Sequence, residues 1–138
     1  AGFDVALDEN DNSLVLRLSV GRHRVLLTGD AGVEAEARLL SAGAIFEADV
    51  LKVAHHGSRT SSSDAFVAAV RPRWAVVSAA PHRADHRGPP HPEVLARLAA
   101  SGATIVPTAT AGTVTVHLGP EEVAVYDGGG RMLGTERR

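Results

Sequence analysis

The chain has 138 residues, of which 44% are hydrophobic and 22% charged, a composition typical of one compact globular domain with its own core. It contains no cysteine, which excludes disulfides and thiolate zinc sites, so any metal would need His, Asp or Glu ligands. The net charge of −2 provides no bulk positive field for nucleic acid, although a bound metal can supply local positive charge.

Hydrophobic periodicity predicts strands and helices in alternation, joined by short loops. The hairpin turn Gly21-Arg22 connects the first two strands. The segment 81–91 is predicted to be a polar loop, and 128–138 a flexible tail after a domain that covers 1–127. The predicted strands cover 13–20, 23–30, 48–54, 73–80, 104–119 (two strands and a turn) and 121–127, and the predicted helices cover 33–43, 61–70 and 92–102.

This order indicates an α/β fold in which loops of similar position follow successive strands. Asp30 follows one strand, the pair His55-His56 follows the next, and residues 78–91 follow the third. Because sites in open α/β sheets form at the carboxyl ends of neighbouring strands, we expect these loops to lie together.

The first two loops carry metal-ligand chemistry. Asp30 precedes His55 and His56 by 25 and 26 residues, the length of one strand–helix–strand unit. A carboxylate and an imidazole so placed can share a divalent ion. Side chains alternate along an extended strand, so we expect one of the two histidines to face the metals, and the residues leave open which one. Asp30 alone would also suit an ordinary turn after Gly29.

Other polar residues have alternative interpretations. Lys52 could balance carboxylates near the site or extend from a strand into solvent. His91 precedes Pro92 at a helix start, where the helix dipole favours phosphate. His82, His86 and His91 with Asp85 could also form a metal cluster in the loop 81–91, but surface positions are favoured for His82 and His86. Structural positions are expected for His23 and His117. Helix caps are expected for Ser61, Ser62 and Ser63, and a role of Ser58 beside the site is left open.

Several segments together resemble the metallo-β-lactamase-like domain of ComEC-type competence proteins, over roughly residues 12–118. The resemblance is carried by the order and spacing of the motifs. They are "NSLVLRL", "LLTGD", Glu36 in "EAEARLL", "ADVLKVAHHGS", "RPRWAVVS", the "HP" at 91 and 92, and "T-x-x-x-G-T-V-T-V" from Thr108.

The resemblance implies an αββα sandwich, with a mixed sheet flanked by helices. It implies that Asp30 bridges one or two divalent ions, Zn or Mn, and that His55 or His56 is a further ligand. His91 or Lys52 would then contact phosphate or assist the leaving group. The implied activity is metal-dependent hydrolysis of phosphodiester bonds in DNA during DNA uptake.

The sequence departs from the family in one major respect. The principal ligand motif HxHxDH, or its HxDxDH form, does not occur. We therefore expect the C-terminal half of the domain only, an incomplete metal site, and little activity of this chain alone. The loop at 81–91 also differs from the family pattern, which usually has a shorter loop with an Asn before "HP".

A half-domain would expose sheet surface, so self-association is expected. The resemblance places the parent protein in the cell membrane, with this domain on the extracytoplasmic side and next to the membrane-embedded part. Two alternatives to a nuclease remain: a hydrolase of small esters, lactones or phosphoesters with the same fold, or a non-catalytic binding or scaffold domain.

Overall fold

The computed structural model describes residues 9–43, 47–80 and 88–137, which form two β-sheets and four α-helices. Each predicted helix and strand is present among them, and the strands are shorter than predicted. The strands are β1 (Leu16–Val20), β2 (His23–Leu27), β3 (Val50–Lys52), β4 (Trp74–Val77), β5 (Thr104–Pro107), β6 (Thr115–Leu118), β7 (Glu122–Tyr126) and β8 (Met132–Arg137). The helices are α1 (Val33–Ser41), α2 (Asp64–Val70), α3 (Pro92–Ala100) and the single turn α4 (Thr108–Ala111).

The larger sheet has the order β1-β2-β3-β4-β5. β1 and β2 form the predicted antiparallel hairpin, with Gly21 at φ 59° in the turn, a left-handed conformation that glycine adopts without a steric penalty. β2, β3, β4 and β5 are parallel. Their carboxyl ends therefore lie along one edge of the sheet, which confirms the predicted α/β arrangement.

The larger sheet is covered on both faces because its central strands are apolar on both sides. On one face, Leu26, Leu51 and Val77 pack with Phe66 of α2 and Leu98 of α3. On the other face, four residues of the larger sheet pack against two of β7: Val25, Val50, Trp74 and Val106 with Val123 and Val125. One helical layer and two stacked sheets result, in agreement with the fold expected of part of an αββα sandwich.

The second sheet has the order β6-β7-β8 and corrects the prediction for the end of the chain. The segment 128–138 was expected to be a flexible tail, but Met132–Arg137 forms β8 and pairs with β7 from Glu122 to Tyr126. Glycines at 128–130 form the turn that precedes this strand, and its alternation is too weak to detect without the partner strand. The sheet that covers the core therefore extends beyond the predicted boundary at 127.

β1 is exposed along its whole length, and one of its faces is apolar. Leu14 is 72% exposed, and Leu16 and Leu18 on the same face are 45% and 50% exposed. β1 is also an edge strand of the larger sheet. An apolar, uncovered sheet surface of this kind is the feature that the sequence led us to expect.

Of the histidines outside the loops at the sheet edge, His23 and His117 lie among the described residues. His23 is fully buried at the start of β2, with Nδ1 3.5 Å from Oδ2 of Asp49. His117 is exposed on β6, with its ring centroid 4.9 Å from that of Tyr126. His82, Asp85 and His86 lie within 81–87, outside the described residues. In the part of the chain that the structure describes, no helix is long and apolar enough to cross a bilayer.

Candidate metal site

The carboxyl ends of β2, β3 and β4 bring three loops together. Oδ1 of Asp30, in the loop after β2, lies 3.8 Å from Nε2 of His56, which follows β3. Nδ1 of the same imidazole lies 2.5 Å from the backbone oxygen of Ser78, just beyond β4. The loops that were expected to meet therefore do so, with His56 at their centre.

The Asp30 loop is held by backbone and side-chain contacts on both sides. The Thr28 hydroxyl donates to the Lys52 carbonyl at 2.6 Å, and the Asp30 N–H donates to the Ser13 hydroxyl oxygen at 3.1 Å. Gly29 has φ 55°, and its carbonyl accepts from the His55 N–H at 3.1 Å. The carboxylate itself remains 44% exposed. The backbone is thus fixed while the side chain stays accessible to a ligand.

The two histidines occupy an unusual turn, Ala54–Gly57. His55 has φ 45° and His56 has φ 56°, and Gly57 follows with φ 84°. Non-glycine residues pay a steric cost in this left-handed region, and such strain persists where surrounding contacts fix the backbone. Here the hydroxyl of Ser61 lies 3.0 Å from the Ala54 carbonyl oxygen and 2.9 Å from that of Ser58.

The two imidazoles have different environments. A backbone carbonyl only accepts hydrogen bonds, so Nδ1 of neutral His56 carries the proton and Nε2 presents its lone pair on the side of Asp30. The Nδ1 atom of His55 is buried and has no hydrogen-bond partner among the described residues. The structure therefore brings His56, rather than His55, together with Asp30.

Lys52 lies at the end of β3 beside the Asp30 loop. Its Nζ donates to the Gly29 carbonyl at 3.3 Å. Burial lowers the pKa of the Lys52 ammonium, and the negative charge of Asp30 partly offsets that effect. Lys52 therefore lies close enough to Asp30 for the two charges to interact, and its role at the site stays a prediction.

His91 makes one hydrogen bond to the histidine turn, Ala54–Gly57, and one to Arg59 just beyond it. The backbone N–H of His91 donates to the Gly57 carbonyl at 2.9 Å, and its ring Nδ1 accepts from the backbone N–H of Arg59 at 3.2 Å. Because Nδ1 accepts, the neutral ring carries its proton on Nε2, where it can donate. His91 is also the N-cap residue of α3, followed by Pro92, as predicted.

The serines after the turn have three different roles. Ser63 is the N-cap of α2 and accepts from the Phe66 N–H at 3.3 Å, as expected. Ser61 instead binds the turn, and Ser62 has φ 56°. The buried Glu36 of α1 accepts from the Ser62 N–H at 2.5 Å and the Ser63 N–H at 2.8 Å. Glu36, noted in the sequence only as part of a motif, therefore joins α1 to the start of α2.

Sequence reasoning missed several supporting residues. Oδ1 of Asp11 accepts from the Gly32 N–H at 3.0 Å and the Ala35 N–H at 3.2 Å, and so caps α1 from a distant segment. Ser13 supports the Asp30 loop, and Thr108 supports the chain around Ser78. These contacts join residues far apart in sequence, and no local pattern signals them.

Asp30 and His56 are residue types that bind divalent metals, but two ligands are too few for a complete site. The 3.8 Å between Asp30 Oδ1 and His56 Nε2 is less than twice a metal–ligand bond of about 2.0–2.2 Å, so one ion can reach both atoms. Within residues 9–43, 47–80 and 88–137, no group of three or more His, Cys, Asp or Glu residues is arranged to hold an ion. A complete coordination sphere would need ligands from elsewhere.

The stacked sheets, the helical layer and the paired Asp and His loops are features of a known class of protein. The sequence model of the metallo-beta-lactamase superfamily matches residues 3–82, more than half of the chain. The chain belongs to this superfamily.

Curated relatives show which proteins of the superfamily this chain is similar to. ComE operon protein 3 of Bacillus subtilis is 35% identical over 106 residues, which are 77% of this chain and 13% of that protein. Recombination protein 2 of Haemophilus influenzae is 38% identical over 109 residues, 79% of this chain and 13% of that protein. Competence protein ComA of Neisseria gonorrhoeae is 36% identical over 114 residues, 82% of this chain and 16% of that protein.

These matches confirm the resemblance stated from the motifs: the chain is homologous to ComEC-type competence proteins. They extend over most of this chain and cover less than a fifth of each of these relatives.

Proposed function

We propose that this chain provides one side of the metal centre of a phosphodiesterase that cleaves DNA during DNA uptake. Asp30 and His56 hold the metal in this proposal, and the remaining ligands come from a segment outside these 138 residues. The support is the homology to competence proteins together with the geometry of the two residues.

The orientation of His56 is the observation that carries the proposal. Metal-binding histidines usually donate their second ring N–H to a carboxylate, a backbone carbonyl or water, which fixes both the tautomer and the ring. His56 makes this hydrogen bond to Ser78, and its free Nε2 lies 3.8 Å from the Asp30 carboxylate. A histidine with a purely structural role would not require the metal-binding nitrogen to remain accessible beside a carboxylate.

Divalent ions such as Zn²⁺ or Mn²⁺, one or two per site, are the cofactors that these ligands fit. When bound, they would lower the pKa of the attacking water and place positive charge near the phosphoryl oxygens. Asp30 provides a carboxylate with two oxygens, which suits a bridging position. The fixed backbone around it keeps that carboxylate in place.

Lys52 and His91 surround the same site and are assigned to the substrate. Lys52 is held beside Asp30, where its ammonium can attract a phosphate oxygen. His91 is held against the histidine turn, with a donor proton on Nε2 at the start of α3. We assign His91 to phosphate contact or protonation of the leaving oxygen. His55, whose Nδ1 is buried, is assigned to the support of the turn.

The homology also leads us to propose the cellular setting. The parent protein would lie in the cell membrane, with this domain on the extracytoplasmic side, next to the membrane-embedded part. DNA, single- or double-stranded, would be its partner there. The absence of a bulk positive charge agrees with a role in which bound metal, rather than a basic surface, attracts the phosphates.

Substitution of the two proposed metal ligands, Asp30 and His56, tests the proposal. This chain would be combined with the segment that carries the HxDxDH motif, and cleavage of single- and double-stranded DNA would be measured with Mn²⁺ and Zn²⁺. Asp30→Ala and His56→Ala should each lower cleavage by at least a hundredfold, as expected for lost metal ligands. His117→Ala, on the exposed face of β6, is the matched control and should leave cleavage unchanged.

The alternatives predict other outcomes. Cleavage of small esters or lactones without cleavage of any nucleic acid would refute the nuclease assignment in favour of a related hydrolase. Absence of any turnover, with DNA or another ligand still bound, would favour the scaffold alternative. If His55→Ala abolished activity and His56→Ala did not, the assignment of His56 as the ligand would be wrong.

A further inference from the structure

The orientation of His56 depends on a backbone segment that the larger sheet does not hold. Ser78 lies one residue beyond β4, and the last residue pair between β4 and β5 is Val77 with Pro107. Pro107 has no N–H to donate to this ladder. Within the described residues, the pairing of the larger sheet therefore ends before the Ser78 carbonyl, which accepts the hydrogen bond from Nδ1 of His56.

The side chain of Thr108 contacts this backbone segment. Its hydroxyl accepts from the Ala79 N–H at 3.0 Å. The same oxygen lies 3.1 Å from the Ala79 carbonyl oxygen and 3.4 Å from that of Val77, so its proton can bond to either. One hydroxyl group thus holds the residues on both sides of Ser78.

We infer that Thr108 is a positioning residue for the metal centre, because its hydroxyl fixes the Ser78 carbonyl that orients His56. The chain of contacts runs from Thr108 Oγ1 through residues 77–79 to Nδ1 of His56. The inference rests on the proposed function in one respect, namely that His56 binds metal through Nε2.

The backbone of Thr108 does not need the hydroxyl. Thr108 is the first residue of α4, and its carbonyl accepts from the Gly112 N–H at 2.9 Å. Valine has the same shape as threonine and preserves this backbone bond, so Thr108→Val removes the hydroxyl contacts selectively. Thr110→Val is the matched control on the same turn, because the Thr110 hydroxyl is exposed and, within the described part of the chain, donates to the Pro107 carbonyl at 3.2 Å.

The first measurement needs no metal. Long-range ¹H–¹⁵N NMR of the imidazoles reports which nitrogen carries the proton. In the wild-type chain and in Thr110→Val, His56 should be protonated at Nδ1. In Thr108→Val it should become a mixture of tautomers, because the carbonyl that selects Nδ1 is no longer fixed.

The second measurement is the affinity for Mn²⁺ of the chain combined with the segment that carries the HxDxDH motif, taken from paramagnetic broadening of the His56 resonances. Loss of the group that orients a metal ligand typically lowers affinity by about 10–100-fold, and this decrease is expected for Thr108→Val. Thr108→Ser keeps the hydroxyl and should restore wild-type affinity. If Thr108→Val does not fold, the pair Thr108→Ser and Thr108→Ala gives the same comparison, since these two variants differ only by the hydroxyl.

The two readouts separate this inference from the proposed function. If the His56 tautomer and the Mn²⁺ affinity are unchanged in folded Thr108→Val, the inference is overturned. If the tautomer changes but the wild-type chain, combined with the segment that carries the HxDxDH motif, shows no Mn²⁺ broadening at His56, Thr108 positions the ring as inferred, and the metal assignment fails.

Discussion

Replacement of Glu36 by alanine should destabilise the chain more than any substitution of an exposed acidic residue on the same helix. Glu36 is 1% exposed and accepts hydrogen bonds from the Ser62 and Ser63 N–H groups. The Ser62 N–H is buried, and a buried donor without an acceptor costs about 1–3 kcal/mol. Ser63 is half-buried, and loss of its hydrogen bond costs about 1 kcal/mol. The free energy of unfolding should therefore fall by about 2–4 kcal/mol.

Urea unfolding measures this loss directly. With a slope of about 2 kcal/mol/M, the midpoint of Glu36→Ala should fall by about 1–2 M. Glu34→Ala, exposed on the same helix, is the control and should change stability by less than about 0.5 kcal/mol. Equal midpoints for Glu36→Ala and Glu34→Ala would refute the role of the buried carboxylate.

The same residue predicts a pH dependence with a definite sign. Burial raises the pKa of the Glu36 carboxyl above its ordinary value of 4.5, and its hydrogen bonds with Ser63 and Ser62 and the charge of Arg97 offset part of that effect. The folded chain then binds this proton more tightly than the unfolded chain. The stabilisation that protonated Glu36 contributes is fully present below pH 4.5, and it is lost as the pH rises through the pKa of the folded state. The stability of wild type relative to Glu36→Gln should therefore decrease with rising pH, and an increase would contradict the assignment.

Two further predictions concern the site and the exposed sheet face. Lys52→Gln should weaken DNA binding by the complete domain and reduce its salt-dependence slope by about 1, as expected for one lost phosphate contact, while Mn²⁺ affinity is retained; an unchanged slope would exclude that contact. The wild-type chain should self-associate in sedimentation equilibrium through β1, and Leu16→Ser with Leu18→Ser should make it monomeric, whereas Val33→Ser, an exposed apolar residue of α1, should not. A monomeric wild type at all concentrations would refute this use of β1.

The motifs predicted the fold and the proximity of the Asp30 loop to the histidine pair, because local sequence patterns carry the information for both. Apolar runs that end in Asp30 or in His55-His56 mark strand ends, and their spacing places them at one sheet edge. Residues 132–137 were missed because their strand character depends on pairing with β7, which local periodicity does not record.

The choice between the two histidines required the backbone conformation. In the sequence, the alternation of side chains along a strand was the basis for expecting His55 and His56 to differ. However, β3 ends at Lys52, and both histidines lie beyond it with backbones in the left-handed region. Alternation therefore does not apply to them. The contact that distinguishes His56 comes from Ser78, 22 residues away, and Thr108 lies further along the chain, so sequence spacing alone could not identify either.

The strained turn has a consequence for how the site keeps its geometry. Two consecutive non-glycine residues in the left-handed region cost roughly 2–4 kcal/mol together. The turn is tied to the Asp30 loop by the bond from His55 N–H to the Gly29 carbonyl, and to the end of β4 by His56. Each of these hydrogen bonds contributes about 1 kcal/mol, so neither alone offsets the strain. The conformation therefore depends on several contacts from neighbouring strands at once, and loss of any one of them should affect His56 before it affects the core.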